Sequence, residues 1–168
     1  EEVIQIFNDK TYRKRKGVIK TEAQELVHLQ PDISSLENVT VSLLDRTGSI
    51  QNKGGLNWGQ RGGREPNQAY LQLRPEVYRT DFFPPKPIQF TVHTDDNKTF
   101  ICTRAQKDNE GQAIHTPLRN SDLGEYFRRR LGLANGVFVK TEDITKYGRT
   151  DVTFYKIDDE TFYMDFSV

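Results

Sequence analysis

IQFTVHTDDNKTFICTRA, residues 88–105, is two apolar, β-branched runs separated by a short polar joint. IQFTVHT (88–94) and TFICTRA (99–105) read as strands, and HTDDNKTF between them reads as a tight hairpin turn. The same pattern extends in both directions. Downstream, QAIHTPL (112–118) is a further strand, reached through the polar turn QKDNEG. Upstream, NVTVSLL (38–44) and QAYLQL (68–73) alternate in the manner of half-buried strands, and PEVYRTDFFPPKP is a proline-punctuated connection. SDLGEYFRRRLGL (121–133) is the clearest helix. Ser121 is placed to cap it, Leu123, Tyr126, Phe127, Leu131 and Leu133 form an apolar stripe, and Gly132 and Gly136 mark its exit. VFVK (137–140) reads as a strand, TEDITKYG (141–148) as a short helix, and DVTFYKI–DDE–TFYMDFS as a terminal hairpin. The fold class is therefore mainly β, with roughly seven strands in a barrel or sandwich and two short helices late in the chain.

The 168 residues suffice for one domain with a core of its own. Only 35% are hydrophobic, but ten Phe and seven Tyr compensate. The zero net charge argues against a partner held by bulk charge alone. The single cysteine, Cys102, excludes a disulfide scaffold within the chain and argues against a cysteine-based zinc site. A reducing cytoplasm fits, and no stretch reads as a membrane span or signal peptide. The chain begins at Glu1 without a methionine, so a fragment of a longer protein is expected. Residues 1–37 read as a linker or small appendage, with the basic cluster Lys10, Arg13, Lys14, Arg15 and Lys16 and a short helical stretch TEAQELVHL. The main domain runs from 38 to 168.

Catalytic patterns are missing. His28, His93 and His115 lie in separate segments, and no HExxH, GxSxG or P-loop occurs. Asp95–Asp96 and Asp158–Asp159 sit in hairpin turns, where Asp serves local hydrogen bonding. Arg128, Arg129 and Arg130 read as a solvated helix face. No metal or cofactor is called for.

GLNWGQRGGREPNQAY (55–70) is different in kind. From Arg46 to Arg74 the chain carries five basic residues and one acidic, Glu65. Gln51, Asn52, Asn57, Gln60, Asn67 and Gln68 add amides, and these are the side chains that read base edges in a major groove. Gly54, Gly55, Gly59, Gly62 and Gly63 permit unusual backbone and close approach to phosphate. Trp58 either pins the loop to the core or stacks on a sugar or base. A second loop, RAQKDNEGQAIHT (104–116), carries Arg104, Gln106, Lys107, Asp108, Asn109, Glu110 and Gln112. Two such loops on one β-scaffold form a clamp.

GLNWGQR, REPNQAY, NSDLGEYFRRRLGL, KYGR and KIDD-x-TFYMDFS, in this order, resemble the carboxy-terminal B3-like DNA-binding domain of restriction endonucleases with a phospholipase-D-type catalytic domain. The resemblance covers about residues 38–168. It implies an open, seven-stranded DNA-binding pseudobarrel with two short helices, in a prokaryotic cytoplasmic enzyme. It also implies two arms gripping the major groove of double-stranded DNA: an N-arm from Gln51 to Asn67 and a C-arm from Arg104 to Thr116. The family's nuclease chemistry uses paired His-x-Lys motifs, and none of the histidines here has lysine two positions on. The chain is then a non-catalytic target-recognition domain whose partner is the nuclease domain of the full-length chain.

On this reading Lys53, Arg64 and Lys107 position the DNA backbone. Asn57, Gln60, Arg61, Arg104, Gln106, Asp108, Asn109 and Glu110 are the candidates for base edges, and Glu65 braces an arginine. A single-stranded DNA or RNA binder stacking bases on Trp58 and tyrosines is the alternative. A protein-docking module and a small hydrolase using His93 and His115 are more distant rivals.

Overall fold

The computed structural model describes residues 33, 35–105 and 111–168. The helical stretch TEAQELVHL, the basic cluster Lys10–Lys16 and the C-arm residues Gln106, Lys107, Asp108, Asn109 and Glu110 lie outside the described residues.

Seven strands form one sheet: β1 (Asn38–Ser42), β2 (Leu71–Gln72), β3 (Phe90–Thr94), β4 (Thr99–Ala105), β5 (Ala113–His115), β6 (Asp151–Asp158) and β7 (Thr161–Asp165). Their order is β1-β6-β7-β3-β4-β5-β2. Neighbours are antiparallel except β3 and β7, which run parallel. The end strands β1 and β2 approach one another without pairing. The sheet is thus an almost closed barrel with an unsealed seam, as a pseudobarrel requires. Among the described residues the short helices α1 (Pro75–Tyr78), α2 (Asp122–Arg130) and α3 (Thr141–Tyr147) accompany it.

The hairpin forms, with its first strand beginning at Phe90 and not at Ile88. Phe90 lies opposite Cys102 and His93 opposite Thr99. Asn97 takes the left-handed turn conformation at φ 66°, and the Thr94 amide closes the turn on the Lys98 carbonyl at 2.9 Å. The barrel interior is filled by aromatic rings. Phe83 stacks on Phe90 at 5.4 Å and meets Phe154 edge-on at 5.1 Å, while Phe162 lies 5.2 Å from Phe90. The proline-punctuated connection contributes buried Phe82 and Phe83 and also forms α1, with Pro75 in its first turn.

Several local readings are corrected. VFVK is not a strand, because its backbone is satisfied by side chains. The Val139 amide and carbonyl bond the Asn57 amide group at 2.9 and 2.8 Å, and the Val137 carbonyl accepts from Arg128 Nε at 2.8 Å. In QAYLQL only Leu71–Gln72 pairs as a strand, since the Ala69 and Tyr70 amides donate to Asn120 and Gly55 carbonyls instead. Ser121 precedes α2 but makes no side-chain capping bond to its amides. His93 and His115 do not face each other, for β4 stands between β3 and β5. His93 is buried with its Nδ1 3.0 Å from Thr99 Oγ1.

The arginine run is not a solvated face either. Arg128 is fully buried. Arg130 forks onto Asp95 through Nη1 and Nη2 at 3.0 and 2.9 Å, and also reaches the hydroxyls of Tyr126 and Tyr147. Arg129, half exposed, pairs with Asp96 at 2.7 Å. Asp95 and Asp96 therefore do more than close their own turn: they clamp α2 to the β3–β4 hairpin. Among the described residues no helix is long and apolar enough to cross a membrane.

Candidate nucleic-acid interface

The N-arm leaves β1, folds over the seam and returns to β2. It begins with a turn held by Asp45, whose Oδ1 accepts from the Thr47 hydroxyl at 2.6 Å, the Thr47 amide at 2.9 Å and the Ser49 amide at 3.1 Å. The Thr47 hydroxyl and the Ser49 amide hold the Asp45 carboxyl below its ordinary range. Gly55–Gln60 then winds into a short 3-10 helix that packs against α2. Only glycines fit the closest contacts. A Cβ on Gly59 would lie 2.2 Å from the Glu65 carbonyl oxygen, and one on Gly124 would lie 1.7 Å from the Asn67 carbonyl oxygen.

The amides of this segment divide into two groups. Asn57 is fully buried, and its side chain bonds the backbone of Gln51 at 2.9 Å and of Val139. Asn67 is 6% exposed; it donates to Glu65 at 3.0 Å and accepts from the Gly136 amide at 2.7 Å. Gln60 donates to the carbonyls of Pro66 at 3.0 Å and Gly136 at 3.2 Å. These side chains fasten the arm to the body, so the expectation of base contact is corrected for Asn57 and Asn67, which have no accessible amide to present. Glu65 braces the Asn67 turn, not an arginine of the arm. Burial opposes its ionisation, but the Asn67 and Ser121 hydrogen bonds outweigh it and lower the carboxyl.

The second group is outward. Asn52, Lys53, Arg61 and Arg64 are exposed, and Gly63 between the two arginines has φ 83°. Arg61 Nε donates to the Lys53 carbonyl at 3.1 Å, which ties the tip to the start of the arm. Trp58 is half-buried and meets Tyr70 edge-on at 5.6 Å, so it pins the arm to the barrel.

Arg104, at the root of the C-arm, is buried. Its Nε donates to the Gly111 carbonyl at 3.0 Å and its Nη2 to the Tyr78 carbonyl. This corrects the expectation of a base contact: Arg104 staples the two ends of the C-arm to α1, and burial lowers its pKa. Between the arms lies a cleft of about 290 Å³ at the seam, lined among others by Arg46, Gln51, Gln72, Arg74, Tyr78 and Gln112. The Gln112 carbonyl accepts from Gln72 Nε2 at 3.0 Å and the Leu73 amide at 2.8 Å, which joins C-arm to β2. Gln72 and Tyr78 escaped the sequence reading, which counted Arg46 and Arg74 in the basic segment without naming them as contacts. A signal for Gln72 was present, since it stands between Leu71 and Leu73 and so faces away from the core.

Gly124→Ala is expected to destabilise the domain by about 1–3 kcal/mol, because the methyl group collides with backbone that cannot yield cheaply. Urea denaturation measures this, and an unchanged midpoint would show that the arm is not seated on α2.

No curated protein matches the chain. A family model does, that of the NgoFVII C-terminal B3-like DNA-binding domain, over residues 32–158. That span includes both arms, the cleft and the barrel apart from β7. The seven-stranded barrel with its open seam agrees with this match, and the chain belongs to the family of restriction-enzyme B3-like DNA-binding domains.

Proposed function

We propose that this domain recognises a short sequence in double-stranded DNA by setting its two arms into the major groove on either side of the seam cleft. The carrying observation is the division of labour within the N-arm. One set of polar side chains is consumed in anchoring it, and another, Asn52, Lys53, Arg61 and Arg64, is left exposed on a tip held from below. A rigid tip loses little freedom on binding and keeps its donors in register with base edges. Asn52 and Arg61 reach bases, with Gln106, Asp108, Asn109 and Glu110 doing so from the C-arm. Lys53 and Lys107 meet phosphate, and Arg46 and Arg74 at the cleft follow the strand between the arms. Cutting belongs to a phospholipase-D-type nuclease domain of a longer chain, in a prokaryotic cytoplasm. Base stacking on Trp58, the single-strand alternative, is disfavoured because Arg64 lies over its ring at 4.3 Å and Tyr70 abuts it.

Selection from a random duplex library at two salt concentrations tests this reading. One enriched short motif is expected, with affinity falling as salt rises. Arg61→Ala is expected to lose about 1–3 kcal/mol and relax one position of that motif, while Lys53→Ala weakens all duplexes alike. Tighter binding to single strands, or no enriched motif, would overturn the proposal.

A further inference from the structure

Arg64 was first assigned to phosphate, but its surroundings suit a different task. Its guanidinium lies over the Trp58 ring at 4.3 Å, and Nη1 donates to Gln68 Oε1 at 2.9 Å. Trp58 in turn is held edge-on by Tyr70. A side chain that only meets a phosphate needs charge and reach, and it gains nothing from a fixed plane. Here the ring face beneath the guanidinium and the hydrogen bond to one amide restrict how the group can turn. Among the described residues no carboxylate pairs with Arg64, and its Nε and Nη2 make no hydrogen bond. Those two nitrogens carry parallel N–H bonds along one edge, the geometry that matches guanine O6 and N7. Arg64 stands exposed on the arm tip, and Trp58 and Gln68 beneath it are half-buried.

We infer that Arg64 reads a guanine in the target site through its Nε–Nη2 edge, and that Trp58 and Gln68 are positioning residues that hold it ready. The inference rests on the double-strand reading proposed above and specifies one contact within it. A lysine at position 64 keeps the charge but has no fork, and leucine at position 58 keeps the apolar bulk but has no ring face.

The experiment takes the motif selected by the wild-type domain and measures binding to duplexes in which each base pair is exchanged in turn. Arg64→Lys is expected to lose on the order of ten- to a hundredfold discrimination at one G·C pair and to leave the other positions unchanged. Replacing that guanine by 7-deazaguanine is expected to weaken wild-type binding and to leave Arg64→Lys unaffected. Trp58→Leu, checked for intact folding by circular dichroism, is expected to lose discrimination at the same pair, and Trp58→Phe to restore most of it. A uniform loss over all duplexes with Arg64→Lys would make Arg64 a phosphate contact and overturn the inference while leaving duplex readout standing. Failure of the wild-type domain to select any motif would remove both.

Discussion

Arg128→Met is expected to destabilise the domain by about 3–5 kcal/mol. The guanidinium is fully buried and donates to three carbonyls: Val137 at 2.8 Å, Gly124 at 3.2 Å and Leu56 at 3.3 Å. Methionine fills much of the same volume but leaves those oxygens dry, and an unsatisfied buried acceptor costs its full desolvation. Burial itself depresses the Arg128 pKa, which the negative charge of Glu65 partly offsets, so the residue sits in its site at the expense of hydration. The loss also has a direction. Leu56 belongs to the 3-10 helix of the N-arm, so the arm is released before the barrel opens. Denaturant unfolding gives the magnitude, and limited proteolysis finds early cleavage between Lys53 and Arg64. Arg129→Met, at a half-exposed neighbour, is the control and changes stability by less than about 1 kcal/mol.

Asp95→Asn is expected to cost about 3 kcal/mol. Asp95 and Arg130 are each 11% exposed, and their fork joins the β3–β4 hairpin to α2. Asp95 Oδ1 also accepts the Phe166 amide at 2.8 Å, so the following segment is tied to the same carboxylate. The substitution keeps the shape and removes the charge, which leaves Arg130 facing Asp96 at 3.4 Å and two tyrosine hydroxyls. Urea midpoints compare the variant with the wild type. The wild-type domain should itself weaken in acid. Burial works against ionisation of Asp96 and Asp165, but their hydrogen bonds to Thr94 and Ser167 and the nearby arginines prevail, and both lie below the ordinary value of 3.8. A depressed carboxyl contributes stability that is present above its unfolded pKa and lost as pH falls through the folded one. The decline therefore belongs below about pH 4, and stability that is flat down to pH 2 would contradict it.

The elements set by local pattern were legible. β4 runs from Thr99 to Ala105 as read, the terminal hairpin falls on Asp151–Asp165, and α2 carries its apolar stripe inward. What alternation could not disclose is where a backbone group goes when a side chain from far along the chain satisfies it. VFVK has the residues of a strand, yet Asn57 and Arg128 occupy the hydrogen bonds that a neighbouring strand would have used. The same blindness governs the site. Arm residues were recognised by type, and type does not separate Asn52 on the surface from Asn57 beneath it. Nor did the run of three arginines disclose that each has a separate fate, since burial depends on the hairpin and the arm that close over α2.

The barrel's pairing scheme also bears on how the domain is made. β1, at residues 38–42, has its ladder partner in β6, at 151–158, and β3 runs beside β7, at 161–165. A nascent chain leaving the ribosome therefore exposes β1 until β6, which starts at Asp151, has been synthesised, and one flank of β3 until β7, which starts at Thr161, has followed. The β3–β4 hairpin and α2 can form as they emerge, but they make no closed barrel until β6 and β7 arrive. Such non-local closure slows folding and prolongs the period in which unpaired strand edges meet other chains. The yield of native domain during synthesis should therefore depend on chaperones that shield β1 until its partner is released.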